Sequence, residues 1–234
     1  MRSFSFLILL SSFSFLLAQE IEPINTDRPD QSDGTYIVPK FKFQIEDGFY
    51  IDRESFLDNL MIRMGITKST EVRVLVDGGR VGRGGGVLPI GFSFKQRVNN
   101  QRKLIPAFTI AFYYRNEQLA SSSFQSKSSN YFLNLAFQNE LNDAWCLGYN
   151  LGTTDFGNNV IFTTSLVFAP FDKLSFFCEI FERFETGSNP QHNTDIGIMY
   201  LVNKRLQLDV ALATSVLRQD VNQYLTFGFS YRFK

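Results

Sequence analysis

The chain contains only one histidine, one tryptophan and two cysteines among its 234 residues. A single imidazole does not make a metal site, and no cluster of cysteine or acidic ligands lies near His192 in the sequence. His192 lies beside Pro190 and Gln191, in a stretch that we predict to be a loop, and no Ser–His–acid arrangement can be argued around it. We therefore predict no catalytic residues, no metal site and no cofactor, and do not expect an enzyme.

Net charge is also lacking, because 23 basic residues balance 23 acidic ones. A protein that binds a polyanion normally carries a basic excess, so the composition argues against a nucleic-acid partner.

The two cysteines do not suggest a disulfide. Alternation places Cys146 on the polar face of one strand and Cys178 on the apolar face of another, so that their side chains point to opposite sides of the sheet.

Long apolar runs are absent after the first residues of the chain. Arg2, the apolar stretch Phe4–Leu17 and the small residue Ala18 before Gln19 have the order of a secretory signal, so we predict a signal peptide over residues 1–18. No later stretch approaches the 18 or so apolar residues that a spanning helix needs. If the exported chain enters a membrane, it must do so as a β-barrel, since lipid leaves no other way to satisfy the backbone hydrogen bonds.

Aromatic residues are abundant, with 26 Phe and 9 Tyr, and they recur at every second position. The closing stretch Gln223–Lys234 shows the pattern most clearly. Its apolar row is Leu225, Phe227, Phe229, Tyr231 and Phe233, and its other row is Thr226, Gly228, Ser230 and Arg232. Such alternation predicts a strand with one apolar face. About ten residues, tilted, cross the ~25 Å apolar band of an outer membrane.

The same pattern repeats over residues 41–234 and predicts about twelve antiparallel strands, an even number as in bacterial single-chain barrels. Short turns alternate with longer connections rich in Gly, Ser and Asn, among them Gly78–Val87, which we predict to be a flexible loop. A soluble β-sandwich would alternate too. The sorting of the loops, the length of the strands and the Tyr or Trp residues near their ends favour an up-and-down transmembrane barrel.

Residues 19–40 are polar, contain three prolines and show no periodicity, so we predict an extended segment, either periplasmic or entering the lumen. Within it lies a motif dense in hydrogen-bonding groups: Thr26, Asp27, Arg28, Pro29 and Asp30. The inward rows of the strands carry charges of both signs, which would either line an aqueous path or form a salt-bridge network that plugs it. The predicted pore-lining or ligand-binding residues are Glu46, Arg63, Arg73, Lys95, Arg97, Glu179, Arg183 and Arg232.

Several stretches together resemble a known family. They are Thr26–Asp30, the Val38–Pro39 pair, Phe43–Phe49, Leu60–Ile66 and Thr70–Val74. They resemble the start of the outer-membrane proteins described as "putative meta-pathway of phenol degradation", often called transporters, in which such a motif leads directly into the first barrel strand. The resemblance is specific over about residues 26 to 76 and rests on strand pattern alone beyond them. It implies a barrel that admits small, often hydrophobic compounds, and does not imply catalysis.

We therefore expect an outer-membrane β-barrel, in a bacterium of the Gram-negative type, for passive uptake of small solutes, hydrophobic or aromatic ones among them. The expected partners are outer-membrane lipid, the solute and the barrel assembly machinery. The alternative is a plugged structural or interaction barrel, whose loops bind a surface and which transports nothing.

Overall fold

The computed structural model describes residues 22–125, 131–154, 157–216 and 223–234. The predicted signal peptide, residues 1–18, lies outside the described residues. Within the described chain, thirteen β-strands follow one another, and a 3-10 turn, Glu117–Leu119, lies between β6 and β7. No helix among these residues is long and apolar enough to span a membrane.

The strands are much longer than those of most soluble sheets, reaching thirteen residues. Their bounds are β1 Phe43–Ile51, β2 Ser55–Gly65, β3 Thr70–Val81, β4 Gly84–Val87, β5 Ile90–Asn99, β6 Ala107–Asn116, β7 Tyr131–Glu140, β8 Trp145–Thr154, β9 Asn159–Phe171, β10 Leu174–Glu185, β11 Gln191–Asn203, β12 Leu206–Val216 and β13 Gln223–Arg232.

Every barrel strand pairs antiparallel with its neighbours in the chain, and the last strand closes on the first. In that closing pair, β1 and β13, Glu46 lies opposite Ser230 and Gly48 opposite Gly228. The short strand β4 pairs only with the end of β3, and β3 continues the barrel by pairing with β5. The described residues thus form a closed, up-and-down barrel of twelve strands, which confirms the predicted fold class.

The pleat of each strand separates an apolar outer face from a polar inner face. On β12, Leu208, Val210 and Leu212 are exposed on the outside, while Gln207 and Asp209 are buried. The largest fully buried side chains are mostly charged, and Arg63, Arg73 and Lys95 are among them. This inside-out distribution is the reverse of a soluble core and suits a barrel surrounded by lipid.

The two ends of the barrel differ in their connections. We call the end with the connections 66–69, 100–106, 141–144, 172–173 and 204–205 the short-turn rim, and the opposite end the long-loop rim. Residues 22–42, which precede β1, enter and leave the barrel at the short-turn rim.

Two predicted loops at the long-loop rim are shorter than expected, because strands extend into them. His192 lies on β11, opposite Glu182 of β10, and the Glu182 carboxylate is 2.9 Å from the His192 Nδ1. The predicted loop position of His192 was therefore wrong. The glycine-rich stretch is a hairpin of β3 and β4 rather than a flexible loop. Gly79 and Gly86 face each other with φ angles of 140° and 137°, which side chains rarely adopt, and the ladder therefore continues through them.

The outward position of Val210, near the middle of β12, provides a test of the lipid-facing surface. We expect Val210→Arg to lower the free energy of unfolding by about 2–4 kcal/mol, because a guanidinium near the bilayer midplane loses its hydration. Urea unfolding of the barrel in phospholipid vesicles, followed by the fluorescence of Trp145, measures this. Val210→Ala is the control. If the two variants lose the same free energy of unfolding, this face of the barrel does not contact lipid.

Candidate functional site

Residues 22–42, which we call the luminal segment, cross the interior of the barrel from one side of the short-turn rim to another. The segment starts beside the β11–β12 turn, where the Ile24 N–H donates to the Lys204 carbonyl at 3.0 Å. It ends beside β2, where the Phe41 N–H donates to the Gly65 carbonyl at 2.7 Å. Between these two anchors it rises into the lumen and descends again.

The irregular backbone of this segment is held by side chains of the barrel wall. Five backbone N–H groups donate to inward-facing carboxylate or amide oxygens, each on a different strand. The pairs are Asp27 with Glu46 (3.0 Å), Gln31 with Glu179 (2.6 Å), Asp33 with Asn150 (2.8 Å), Thr35 with Gln138 (3.2 Å) and Val38 with Glu71 (2.8 Å). Buried N–H groups need such partners, and here the wall supplies what secondary structure supplies elsewhere.

One wall of the lumen carries three buried cations, Arg63, Arg73 and Lys95, which we call the cation cluster. They come from β2, β3 and β5, which are neighbours in the sheet. Two carboxylates of the same wall lie among them. Arg63 contacts Glu46 at 2.5 Å and Glu71 at 2.9 Å, and the Arg73 Nε donates to Glu71 at 2.6 Å.

Asp27 of the luminal segment completes this network. Its Oδ2 accepts from Arg73 at 2.5 Å and lies 3.3 Å from the Arg63 guanidinium. The Lys95 Nζ lies 3.2 Å from both carboxylate oxygens, and the Gly34 N–H donates to Oδ1 at 2.9 Å. One carboxylate therefore contacts all three members of the cation cluster.

Asp33 is a second carboxylate that the segment brings to the same wall. It accepts from Arg73 at 3.0 Å, from the Tyr113 hydroxyl at 2.6 Å and from Asn134 at 2.7 Å. Burial alone would raise the pKa of Asp33, but the charges of Arg73 and Lys95 and these hydrogen bonds hold the pKa well below its usual value. Asp33 is therefore an anion at neutral pH.

Arg28 points the other way, toward the seam that closes the barrel. Its Nη2 is 3.0 Å from Asp209 Oδ1 on β12, and its guanidinium lies over the paired glycines Gly48 and Gly228. A Cβ on Gly48 would lie 1.9 Å from Arg28 Cζ. The absence of side chains at these two inward positions makes the room that Arg28 occupies.

The opposite wall of the lumen is acidic. Glu179 and Asp195 face each other across β10 and β11, and Asp30 of the segment is half-buried near them. Ser32 donates to Glu179 and shares a 2.6 Å hydrogen bond with Thr163, while Ser165 donates to Asp30 at 3.2 Å. Among the described residues, no salt bridge reaches these three carboxyl groups, in contrast with the cation cluster.

Two cavities lie on either side of the segment. The lower one, about 720 Å³, is lined by residues of the short-turn rim such as Asp143, Asp172 and Lys173. The upper one, about 420 Å³, is lined by Tyr131, Phe132 and Arg183 among others. Asp30, Ser32 and Asp33 line both cavities. These three residues, which we call the septum, separate the two halves of the lumen.

The residues that we predicted to line a pore divide into several groups. Glu46, Arg63, Arg73 and Lys95 meet around Asp27, and Glu179 lies on the acidic wall. Arg232 binds the Tyr36 hydroxyl at 2.9 Å and the carbonyl of Glu22. Arg97 is apart from the network and donates to Asn100 at 3.0 Å, while Arg183 is an exposed residue of the upper cavity. Their role in solute passage stays a prediction.

The predicted motif is distributed over several contacts. Asp27, Arg28 and Asp30 make the contacts described above. The Thr26 hydroxyl donates to the Arg28 carbonyl at 2.8 Å and accepts from Gln207, and the peptide between Arg28 and Pro29 is cis. The uncharged partners of the segment were not among the predicted residues, and they are Tyr113, Asn134, Asn150 and Thr163. The available signal was that each occupies an inward position of its strand.

A closed twelve-strand ladder with an apolar exterior and a charged interior defines a porin-like outer-membrane β-barrel. The chain belongs to the family described as "Putative MetA-pathway of phenol degradation", whose model matches residues 26–233. This confirms the resemblance seen in the sequence. The match begins at Thr26, the first residue of the motif in the luminal segment.

Solved structures with the same fold include an outer membrane channel, a porin and an outer membrane protein. The COG4313 outer membrane channel from Pseudomonas putida F1 is 10% identical, with a TM-score of 0.63 over 88% of this chain and 100% of that one. A KdgM porin in complex with disordered oligogalacturonate is 11% identical, with a TM-score of 0.65 over 82% and 99%. The Acinetobacter baumannii outer membrane protein Omp33 is 9% identical, with a TM-score of 0.56 over 83% and 99%. No curated protein sequence matches the chain significantly.

The burial of the cation cluster predicts a large cost for breaking it. We expect Arg63→Met to reduce the free energy of unfolding by about 3–5 kcal/mol, because Glu46 and Glu71 are left buried beside an apolar side chain. The matched control is Arg115→Met, which removes a 2.7 Å ion pair with Asp77 in which the arginine is 41% exposed. That change should cost at most about 1 kcal/mol. If urea unfolding shows the same loss of free energy for Arg63→Met and Arg115→Met, the buried network does not stabilise the barrel as we propose.

The septum provides a prediction about pH. The pKa of Asp30 is raised, first by burial and then by repulsion from Glu179 and Asp195. A carboxyl with a raised folded-state pKa stabilises the fold below its unfolded-state pKa of about 4, and this contribution is lost as pH rises through the folded-state value. We therefore expect Asp30→Asn to be more stable than wild type at neutral pH, with a weaker pH dependence above the ordinary carboxyl range.

Asp33→Asn is the control for this experiment and should behave in the opposite way. The pKa of Asp33 is lowered, so its charge stabilises the fold above the unfolded-state pKa, and this contribution is lost only as pH falls through the lower folded-state value. The amide should therefore weaken the barrel at neutral pH. Unfolding midpoints between acid and neutral pH measure both variants, and shifts of the same sign would refute the assignment.

Proposed function

We propose that the protein is a passive channel of the outer membrane, through which small solutes pass along a lumen narrowed by its own luminal segment. The short-turn rim would face the periplasm and the long-loop rim the outside, as is usual for such barrels. The chain would be exported through the signal peptide over residues 1–18 and inserted by the barrel assembly machinery. Its outer face would then contact outer-membrane lipid.

The observation that carries this proposal is the pair of cavities of about 720 and 420 Å³ with the septum as their common wall. A barrel packed solid would have no such spaces. Here the lumen holds one cavity on each side of the segment, and Asp30, Ser32 and Asp33 line both. We infer that a solute passes between the septum and the wall of β7, β8 and β9, where the partners of the septum are Asn134, Asn150 and Thr163.

The size and lining of the upper cavity support a small solute with an apolar part. Phe132 lines it, with its ring 5.7 Å from that of Tyr113, and Met61, Leu75 and Ile161 also contribute. Aromatic faces bind planar apolar groups, and the nearby hydroxyl and amide groups fix polar substituents. These features support the hydrophobic or aromatic compounds expected from the family resemblance as one class of solute.

The experiment that tests the channel is conductance of the purified barrel in planar bilayers. We expect wild type to conduct weakly, and the triple variant Asp30→Ala, Ser32→Ala, Asp33→Ala to conduct several-fold more, because the side chains that bridge the segment to β7, β9 and β10 are gone. Arg80→Ala with Arg83→Ala, which changes exposed residues of the β3–β4 hairpin, is the control and should conduct as wild type does. Heat-modifiable gel migration confirms that each variant is folded.

Two results would count against the proposal. Folded barrels that pass no ions, with the septum intact or removed, would indicate the alternative of a plugged structural or interaction barrel. Wild-type conductance that the triple variant leaves unchanged would show that the path does not run past the septum.

A further inference from the structure

We propose that the cation cluster is a binding site for a free carboxylate group, which the chain's own Asp27 occupies in the described state. This inference deepens the proposed function, on which its meaning for transport rests, because it adds carboxylate-bearing compounds to the solutes that the lumen recognises. The carboxylate of a solute would take the place of the Asp27 side chain and weaken the hold of the wall on the luminal segment.

The charges of the wall support this reading. On the strands alone, the three cations of the cluster face only two carboxylates, Glu46 and Glu71. Both of these are engaged by Arg63, and Glu71 is also engaged by Arg73. Buried cations need a compensating anion, so the strands are one negative charge short at this place until the segment supplies Asp27, together with Asp33 as a second anion on Arg73.

Lys95 shows the shortfall most directly. Its side chain is fully buried, and within the described chain its ammonium group forms hydrogen bonds to Asp27 alone. No carboxylate of the barrel strands forms a salt bridge with it there. The strands therefore hold an ammonium group in place for an anion that does not belong to the wall.

The geometry around Asp27 is that of carboxylate recognition by several donors. Both oxygens are bound, Oδ2 by the guanidinium of Arg73 at 2.5 Å and Oδ1 by the Gly34 N–H at 2.9 Å, with Lys95 equidistant from the two. Charge-assisted bonds of this kind are made to the carboxylate group itself. They do not need the aspartate backbone, so a small free carboxylate satisfies the same donors.

The site is within reach of the lumen. Asp27 lines the upper cavity together with Tyr113 and Phe132, so an acid entering from the long-loop rim would reach the Asp27 carboxylate, behind which the buried cations lie. As a tethered side chain, Asp27 has a high effective concentration and competes well against a dilute solute. Removal of its carboxylate should therefore reveal the site to free anions, which suggests a chemical-rescue experiment.

The test compares acetate with chloride, at equal ionic strength and pH, on the folding of Asp27→Ala into phospholipid vesicles. We expect acetate to raise both the folded yield and the temperature of the heat-modification transition of Asp27→Ala, with a saturable concentration dependence. Wild type should respond equally to the two salts. The double variant Asp27→Ala, Lys95→Met should lose the acetate effect, because the cation that has no other carboxylate partner is gone.

Two outcomes would overturn the inference. One is a folded yield and transition of Asp27→Ala that are the same in acetate and chloride. The other is an acetate effect of equal size in the double variant, which would show a general action of the salt. Neither readout involves transport, so rescue by acetate in a barrel that does not conduct would leave the binding site standing while the channel proposal fails.

Discussion

The structure depends on one electrostatic constraint, which is that charges buried inside the barrel must be compensated there. Arg63, Arg73 and Lys95 are fully or almost fully buried. The strands provide part of the compensation through Glu46 and Glu71, and the luminal segment provides the rest through Asp27 and Asp33. An uncompensated buried charge is costly. The cations of the wall therefore bind the segment inside the barrel, and the carboxylates of the segment compensate the charge of those cations.

The outer wall and the first strands could be predicted from the sequence because the pleat imposes a period of two. The rows of Phe and Leu identify the lipid face, and the turn residues locate the hairpins. The ends of the strands were harder to predict. Around His192, the turn residues mark the tip of the hairpin, but hydrogen bonding continues between β10 and β11 into a stretch that is polar on both faces.

The interior could be predicted only in its composition. Alternation shows that Arg63 and Glu179 point inward, but not at what height they lie or which residue of the segment meets them. The contact between Ser32 and Glu179 joins residues 147 positions apart, and that between Asp27 and Lys95 joins residues 68 apart. Such pairings follow from the register of all the intervening strands. The glycine pair that receives Arg28 is likewise visible only when β1 and β13 are closed on each other.

The order of groups along the segment matches the order of charges around the lumen. It presents the carboxylates of Asp27 and Asp33 to the cation cluster, the guanidinium of Arg28 to Asp209, and the neutral hydroxyl of Ser32 to Glu179. Asp30 is the exception, since it places a carboxyl beside Glu179 and Asp195. The one mismatched side chain therefore lies in the septum, between the two cavities. The contacts of Ser32 and Asp33 therefore hold the septum in place on either side of a carboxyl group that its surroundings repel, so the cost of burying Asp30 is compensated by its two neighbours in the segment rather than by an ion pair of its own.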